Sequence, residues 1–305
     1  MANPVSNPDN PDSTASQLKL KLAQLREEID AVDVALHDLL LRRASIVAKI
    51  RQVKRGGPAL RPGREAQILR RLAKRHAPHA HEGIGLASIL RIWREMIDSL
   101  TTFQSPFSIG LVSSSDVTPA HSLRDIVRDH YGSYTPLSFF ADPNQALNAV
   151  EDGTVTLAIL PYPRGGDLWW TTLTARANRL RVVACLPFFI GENQQITTEE
   201  VGFVVAAFPS ELSGSDRSLV TIKNPLLSQQ GSKLSSRLSE AWPGAISVAA
   251  DKKNNQLLID VPGFIETPRS MPEKAQKILA SSLDDMQILG NYAVPLYLDP
   301  QGSFR

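Results

Sequence analysis

The sequence lacks the features that mark secreted and membrane proteins. Its 305 residues include one cysteine, Cys185, so no disulfide can form within the chain. No apolar run approaches the roughly 18 residues that a membrane helix needs. Residues 1–16 contain neither the basic stretch nor the apolar run of a signal peptide. We therefore expect a cytoplasmic protein.

The chain also lacks a large net charge, since its formal net charge is +2. The charged residues are nevertheless unevenly distributed along the sequence. Through Ser105 the chain carries 17 Lys and Arg against 11 Asp and Glu, and the remaining residues carry 16 against 20. A basic N-terminal part suggests an anionic partner. Charge alone does not choose between nucleic acid, a membrane surface and a small polyanion.

A long helix dominates the first part of the chain. Residues 1–16 are rich in Asn, Pro and Ser and predict a disordered tail. After them, apolar residues repeat at alternating spacings of four and three, which predicts a helix packed against other helices. These seam residues are Leu18, Leu22, Leu25, Ile29, Val32, Leu36 and Leu39. The predicted helix, Ser16–Arg55, is about 60 Å long, about twice the diameter of a small domain. We therefore expect an intertwined dimer.

Two shorter helices complete an all-α domain over residues 17–105. Apolar spacing predicts them over residues 62–77 and 86–104. Over residues 106–212, short apolar runs alternate with helical stretches, which is typical of an α/β layer. Residues 213–305 follow the order strand, helix, two strands, helix, strand, which predicts a ferredoxin-like α+β unit. The predicted fold class is multidomain: an all-α three-helix domain followed by α/β and α+β regions.

Two cations interrupt the apolar seam of the long helix. Arg43 lies four residues after Leu39, where Leu or Ile is expected, and Lys54 lies about three turns further on. Both side chains therefore project from the face that packs inward. A buried cation is costly without a counter-charge. Either Asp33 or Glu65 of the protein pairs with these cations, or an anionic ligand does.

Other polar residues fit the ligand interpretation. Arg26 flanks the same seam but lies about 25 Å from Arg43 along the helix axis. One small ligand cannot bridge this distance, so Arg26 can act with Arg43 only from the antiparallel helix of a second subunit. Arg64 and Glu65 open the second helix, and Gln104 stands where the stripe of the third helix predicts an apolar residue. This set suits a small dicarboxylate that has a further oxygen to recognise.

The chemistry of these side chains is electrostatic rather than acid–base. No His, Cys or Ser lies on these faces with a plausible partner, so neither a general base nor a nucleophile is predicted. Catalysis would rest on positioning and on stabilisation of developing charge. We expect no cofactor and no metal. His76, His79 and His81 fall in a Pro-containing turn without cysteine or carboxylate support for a metal site.

The same residues carry a resemblance to a known family. In order and spacing, Leu25–Asp33, Leu39–Arg43, Lys54, Arg64-Glu65 and Gln104 resemble the all-helical chorismate mutases. That family forms an intertwined dimer of three-helix subunits and converts chorismate to prephenate by a Claisen rearrangement without a cofactor. The resemblance implies a homodimeric isomerase of aromatic amino acid biosynthesis, with chorismate as its substrate.

The resemblance also implies roles for individual residues. Arg43, and Arg26 from the partner subunit, would bind the two carboxylates of chorismate. Lys54 and Gln104 would donate hydrogen bonds to the ether oxygen, where negative charge grows as the C–O bond breaks. Lys54 is therefore expected to be the most sensitive position.

At the second helix the resemblance is less complete. Glu65, oriented beside Arg64, would hold the ring hydroxyl of the substrate. Arg61 stands where the family often has an acidic residue, and Leu100 stands where it has a serine. The resemblance therefore gives Arg61 no role and leaves one carboxylate contact unassigned.

The remainder of the chain has a weaker resemblance. Phe107–Val112, Phe139–Pro161 and Leu180–Phe188 resemble parts of a prephenate dehydratase domain, truncated here, and residues 213–305 resemble the ACT-type regulatory unit that often follows it. The strand that carries Thr-Arg-Phe in the family is Val201-Gly202-Phe203 here, without the hydroxyl and the cation. We therefore expect a structural or regulatory remnant. A bifunctional mutase–dehydratase is the alternative.

Two functions of other classes compete with an enzyme. A nucleic-acid-binding helical dimer would place Arg and Lys on its solvent face with aromatic residues among them. A non-catalytic helical binding dimer would keep its seams apolar. Inward-facing Arg43, Lys54 and Gln104 fit neither, so the pattern favours a small-molecule substrate over nucleic acid or a membrane.

Overall fold

A computed structural model describes residues 11–54, 59–79, 83–112, 123–164, 166–191, 194–224, 234–279 and 282–298. The chain divides into two compact units, Met1–Gly57 and Pro58–Arg305, and each is described by itself. Among the described helices, none combines the length and the apolar character that a membrane span requires.

The first unit contains helix α1, which spans Pro11–Lys54. Proline fits the first turn of a helix, where its missing N–H has no intrahelical partner to lose. The helix therefore begins within the predicted tail, at Pro11, and residues 1–10 lie outside the described residues. The seam is open to solvent, with exposed fractions from 46% at Leu25 to 60% at Ile29.

The second unit begins with two helices that match the predicted pair. Helix α2 spans Pro62–His76 and helix α3 spans Leu86–Gln104. Their apolar side chains form a shared core with Phe188 and Leu296, which come from much later in the chain. These two helices are therefore packed on the C-terminal half.

The rest of the second unit is built from strands and short helices. In chain order the strands are β1 Ile109–Val112, β2 Leu137–Phe140, β3 Leu157–Pro161, β4 Arg181–Leu186, β5 Phe189–Ile190, β6 Gly202–Ala206, β7 Asp216–Lys223, β8 Ile246–Asp251, β9 Gln256–Pro262, β10 Met286–Ala293 and β11 Leu296–Tyr297. The helices are α4 Leu123–Tyr131, α5 Pro143–Glu151, α6 Trp169–Ala175, α7 Leu234–Ala241 and α8 Glu273–Leu279. Within the described residues β5 and β11 pair with each other, and the other strands form one sheet.

The sheet has the order β2-β1-β3-β6-β4-β10-β7-β9-β8. Its last four strands are antiparallel neighbours and alternate with α7 and α8 in the split pattern. This confirms the ferredoxin-like order predicted for residues 213–305. The same sheet continues through β4 into residues 106–212, so the two predicted regions share one sheet.

The two halves of the sheet meet where β10 runs parallel to β4, and this contact depends on Gly290. Gly290 pairs with Val182. It has a φ of +146°, and a Cβ there would lie 2.1 Å from the Val182 carbonyl oxygen. No L side chain can occupy this position without moving a strand. Close to this joint, the Asp260 carboxylate accepts from Arg217 Nε at 2.9 Å and from the Tyr292 hydroxyl at 2.6 Å.

We predict that Gly290→Ala destabilises the protein more than the matched change Gly263→Ala. Gly263 also has a positive φ, +99°, but has open space where a Cβ would lie. Gly263→Ala therefore measures the backbone strain alone, about 1–3 kcal/mol. Gly290→Ala adds the collision with β4 and should cost about 1–3 kcal/mol more. Urea denaturation measures both losses, and equal losses would contradict the close-approach explanation.

Candidate functional site

Helix α1 carries three of the predicted site residues. Arg26 is exposed, whereas Arg43 is partly buried. Arg43 Nη1 is closed to solvent and has no hydrogen-bond partner among the described residues. Burial lowers the pKa of Arg43, which is the effect of losing water without gaining a carboxylate. Lys54 is the last residue of α1, and its side chain lies outside the described residues.

The start of α2 places Arg64 and Glu65 in different surroundings. Arg64 is exposed and donates from Nη1 to Gln67 Oε1 at 3.2 Å. Glu65 is buried, and its Oε2 accepts from Arg94 Nη1 at 3.0 Å. Its Oε1 accepts from the backbone N–H of Arg61 at 3.4 Å. Glu65 therefore has its own counter-charge within the second unit.

Gln104 ends α3 and is half-buried. Its Nε2 donates to the backbone oxygen of Leu100 at 3.2 Å. The side chain of Leu100 offers no polar group in place of the family's serine. Arg61, to which the resemblance gives no role, forms an ion pair from its Nε to Glu211 Oε1 at 2.7 Å.

A buried polar cluster that the sequence analysis missed surrounds Glu65. Its members are Glu65, Arg94, Asp98, His130 and Tyr131, each at most 9% exposed. Both carboxylate oxygens of Asp98 and the hydroxyl of Tyr131 are closed to solvent and have no hydrogen-bond partner in the described part of the chain. The available signal was a second pair of charged residues, Arg94 and Asp98, one turn apart within the apolar stripe of α3.

Burial dominates the electrostatics of this cluster. It raises the pKa of Asp98 from 3.8 to about 8, with Arg94 opposing the shift and Glu65 and Glu95 adding to it. Burial also raises the pKa of Glu65, although Arg94 opposes it. The pKa of His130 is lowered well below 6.5, first by burial and then by Arg94. At neutral pH, Asp98 is therefore largely protonated and His130 is neutral.

The strand that corresponds to the dehydratase signature has a glycine at its centre, packed against apolar side chains. A Cβ on Gly202 would lie 2.8 Å from Leu123 Cδ1 and 3.0 Å from Ile159 Cγ2. The nearby residues Trp169 and Trp170 are 3% and 0% exposed and belong to the core. This region therefore holds apolar contacts where the family carries a cation.

Cysteine and histidine contribute no metal cluster to the described residues. Cys185 is buried, and burial raises the pKa of its thiol, which favours the unreactive protonated form. No three His, Cys, Asp or Glu side chains in the described ranges are placed to hold a metal ion. His81, one of the three histidines of the predicted turn, lies outside those ranges.

Comparisons with known proteins find one family model that matches part of the N-terminal region. Residues 25–105 match the profile of chorismate mutase type II. A search of curated proteins finds no match.

Three solved structures align with the larger part of the chain. Prephenate dehydratase from Arthrobacter aurescens, in complex with L-Phe, aligns with a TM-score of 0.37 and 13% identity over 61% of this chain and 89% of its own. Prephenate dehydratase from Streptococcus mutans aligns with a TM-score of 0.38 and 16% identity over 62% and 99%. GqqA, described as a novel type of quorum quenching acylase, aligns with a TM-score of 0.40 and 18% identity over 62% and 96%.

We predict that Asp98 makes stability fall as pH rises. Its folded-state pKa of about 8 lies above its ordinary value of 3.8, so folding binds a proton between these two pH values. The stabilisation is complete below pH 3.8, the ordinary pKa, and it is lost as pH rises through the folded-state pKa of about 8. The slope between them should approach about −1.4 kcal/mol per pH unit.

Asp98→Asn, which keeps the shape of the protonated acid, should remove this slope. Urea denaturation at several values from pH 5 to pH 8 measures it in the parent and the variant. Asp129→Asn, a change at an exposed carboxylate on α4, is the matched control and should leave the slope in place. Parallel pH profiles for the parent and Asp98→Asn would contradict the prediction.

Proposed function

We propose that this protein, whose residues 25–105 belong to the chorismate mutase type II family, catalyses the rearrangement of chorismate to prephenate. The observation that carries the proposal is Arg43, a cation on an apolar helix face whose buried Nη1 has no partner among the described residues. A guanidinium without a counter-charge in such a place supports an anionic substrate. Chorismate supplies two carboxylates.

The reaction is a Claisen rearrangement, in which a C–O bond breaks while a C–C bond forms and negative charge grows on the ether oxygen. The rearrangement transfers no proton and no electron to the protein. Catalysis therefore depends on holding the substrate in its reactive conformation and on stabilising that charge. In this proposal Lys54 and Gln104 donate hydrogen bonds to the ether oxygen. Because the charge is larger in the transition state than in the substrate, these bonds raise kcat.

The two carboxylates are assigned to Arg43 and Arg26. On one helix, 17 residues separate these arginines, which is about 25 Å and more than one substrate spans. Arg26 therefore acts from α1 of a second subunit, and the active form is a homodimer. The exposed apolar seam of α1 supports this arrangement, because an apolar stripe of this length is typical of a helix that packs against a partner.

Glu65, beside Arg64, is assigned to the ring hydroxyl of chorismate. An ionised carboxylate has about four acceptor positions. On Glu65, two of these acceptor positions are used, one by the Arg94 guanidinium and one by the Arg61 backbone N–H. A substrate hydroxyl can therefore donate to Glu65 while the ion pair with Arg94 stays intact.

We assign a structural or regulatory role to residues 106–305. Gly202 stands where the dehydratase signature has a cation, and its neighbours there are the apolar side chains of Leu123 and Ile159. The packing of α2 and α3 on Phe188 and Leu296 supports a structural role for this half. The full-length protein should therefore release prephenate without converting it to phenylpyruvate.

We predict that Lys54→Ala lowers kcat by about 10²–10³, because it removes a donor directed at developing charge. Arg43→Ala should lower kcat/KM, since it removes a carboxylate contact. Arg42, the exposed neighbour of Arg43, provides the matched control, and Arg42→Ala should stay within about twofold of the parent. The decrease of chorismate absorbance in the ultraviolet measures each rate, and circular dichroism checks that each variant is folded.

The same assay distinguishes the competing functions. No loss of chorismate with the parent protein, or full activity in Lys54→Ala, would refute the assignment. Product identification by chromatography tests the second half of the chain. Phenylpyruvate formed without added acid would show that a dehydratase site survives.

The homodimer gives a further prediction. Ile29→Lys places a charge on the α1 seam and should convert the dimer to the 33.4 kDa monomer, with loss of mutase activity because Arg26 of the second subunit is lost. Val34 is similarly exposed, at 63% against 60% for Ile29, but lies on the opposite face of the helix. Val34→Lys should remain a dimer. Light scattering after gel filtration measures both masses, and equal masses for the two variants would exclude this seam as the interface.

A further inference from the structure

A loop of the C-terminal half lies against the first turns of α2. It comprises residues 211–215, immediately before β7. Arg61, the residue that precedes α2, donates from Nε to Glu211 Oε1 at 2.7 Å. Further along the helix, Gln67 Nε2 donates to the Leu212 backbone oxygen at 3.0 Å. The loop therefore follows the helix from its start.

Hydrogen bonds also fix the shape of the loop. The Asp216 carboxylate, at the start of β7, accepts from the backbone N–H groups of Ser213 and Gly214 at 3.1 Å. Arg70 of α2 donates to the Ser213 hydroxyl at 2.8 Å and to the Ser215 backbone oxygen at 2.9 Å. The loop is therefore a defined surface against which α2 is placed.

Gly63, the second residue of α2, allows a close approach between the helix and the loop. It is buried, and a Cβ at this position would lie 2.4 Å from the Glu211 backbone oxygen. A larger residue would therefore push either the loop or the helix aside. The contact fixes the backbone at the start of α2 as well as its side chains.

The same start of the helix carries Glu65, the residue assigned to the ring hydroxyl of chorismate. The Arg61 backbone N–H donates to Glu65 Oε1 at 3.4 Å, and the Glu65 backbone N–H donates to the Arg61 oxygen at 3.0 Å. Arg61 is thus bound to the loop through its side chain and to Glu65 through its backbone. The position of the Glu65 carboxylate depends on where the loop holds Arg61.

We propose that Glu211 is a positioning residue of the mutase, which holds Arg61 and the start of α2 where Glu65 can accept the substrate hydroxyl. This inference rests on the proposed function, and it gives Arg61 the role that the resemblance leaves open. The ring hydroxyl takes no part in the bonds that break and form. A displaced Glu65 therefore weakens binding of the substrate and of the transition state alike, which raises KM and leaves kcat unchanged.

The first test is Gly63→Ala, which places a methyl group against the Glu211 backbone oxygen. The KM for chorismate should rise about tenfold, the effect of losing one hydrogen bond to a charged group. The value of kcat should stay within about twofold of the parent. Gly85→Ala, at the start of α3, is the matched control, because a Cβ there would meet nothing within 4 Å. It should leave KM unchanged.

The second test is Glu211→Gln, which keeps the size of the side chain, removes its charge and decides the question if Gly63→Ala does not fold. The KM should rise about threefold, since partly exposed ion pairs are weak. Glu199→Gln is the matched control. It breaks an ion pair with Arg164 of the same length, 2.7 Å, in which neither partner belongs to α2 or to the loop, and it should leave KM unchanged.

The outcomes separate this inference from the proposed function. An active parent whose KM is unchanged in both Gly63→Ala and Glu211→Gln would overturn the role of Glu211 and leave the mutase assignment in place. A lower kcat at constant KM in these variants would also overturn it, because the loop would then support the fold rather than Glu65. No loss of chorismate with the parent would refute the proposed function, and this inference with it.

Discussion

The ion pair between Glu65 and Arg94 is the interaction on which the organisation of α2 and α3 depends. Both side chains are buried, so the cost of removing each charge from water is offset only while they remain together. The pair therefore fixes one position of α2 relative to α3. The same fixed position sets where α2 presents Arg64 and where α3 ends at Gln104. It also holds the Arg94 guanidinium over the ring of Phe188.

Polar residues on apolar helix faces fall into two kinds, and the structure separates them by their partners. Arg94 has a carboxylate partner, so its first role is to join helices. Arg43 has none among the described residues, and its buried Nη1 has no acceptor. Spacing along the helix is the same signal in both cases. The distinction requires knowing whether a carboxylate lies nearby in space, and this is why sequence reasoning identified Arg43 as unusual but could not decide between an internal partner and a ligand.

The predictability of the fold follows the same division between local and distant information. Periodicity predicted α2, α3 and the ferredoxin-like order of β7 to β10, because each is encoded within a short stretch of chain. It did not predict that β10 would join β4, since that contact depends on Gly290 lying against Val182, more than a hundred residues away in sequence. It also missed Asp98, because sequence reasoning treats an aspartate as charged and therefore exposed. Burial keeps the Asp98 carboxyl group protonated, so it behaves as a neutral core residue.

The packing of α2 and α3 on the C-terminal half supplies contacts that two short helices lack by themselves. A pair of short helices buries little apolar surface by itself, and helices of this length are marginal without tertiary contacts. Here the pair completes its core with Phe188 and Leu296, and Arg70 of α2 donates to backbone oxygens of Ser213, Ser215 and Val294. These contacts tie the helix that carries Glu65 to residues of the C-terminal half. Residues of the C-terminal half therefore help to position α2 and the Glu65 side chain that it carries.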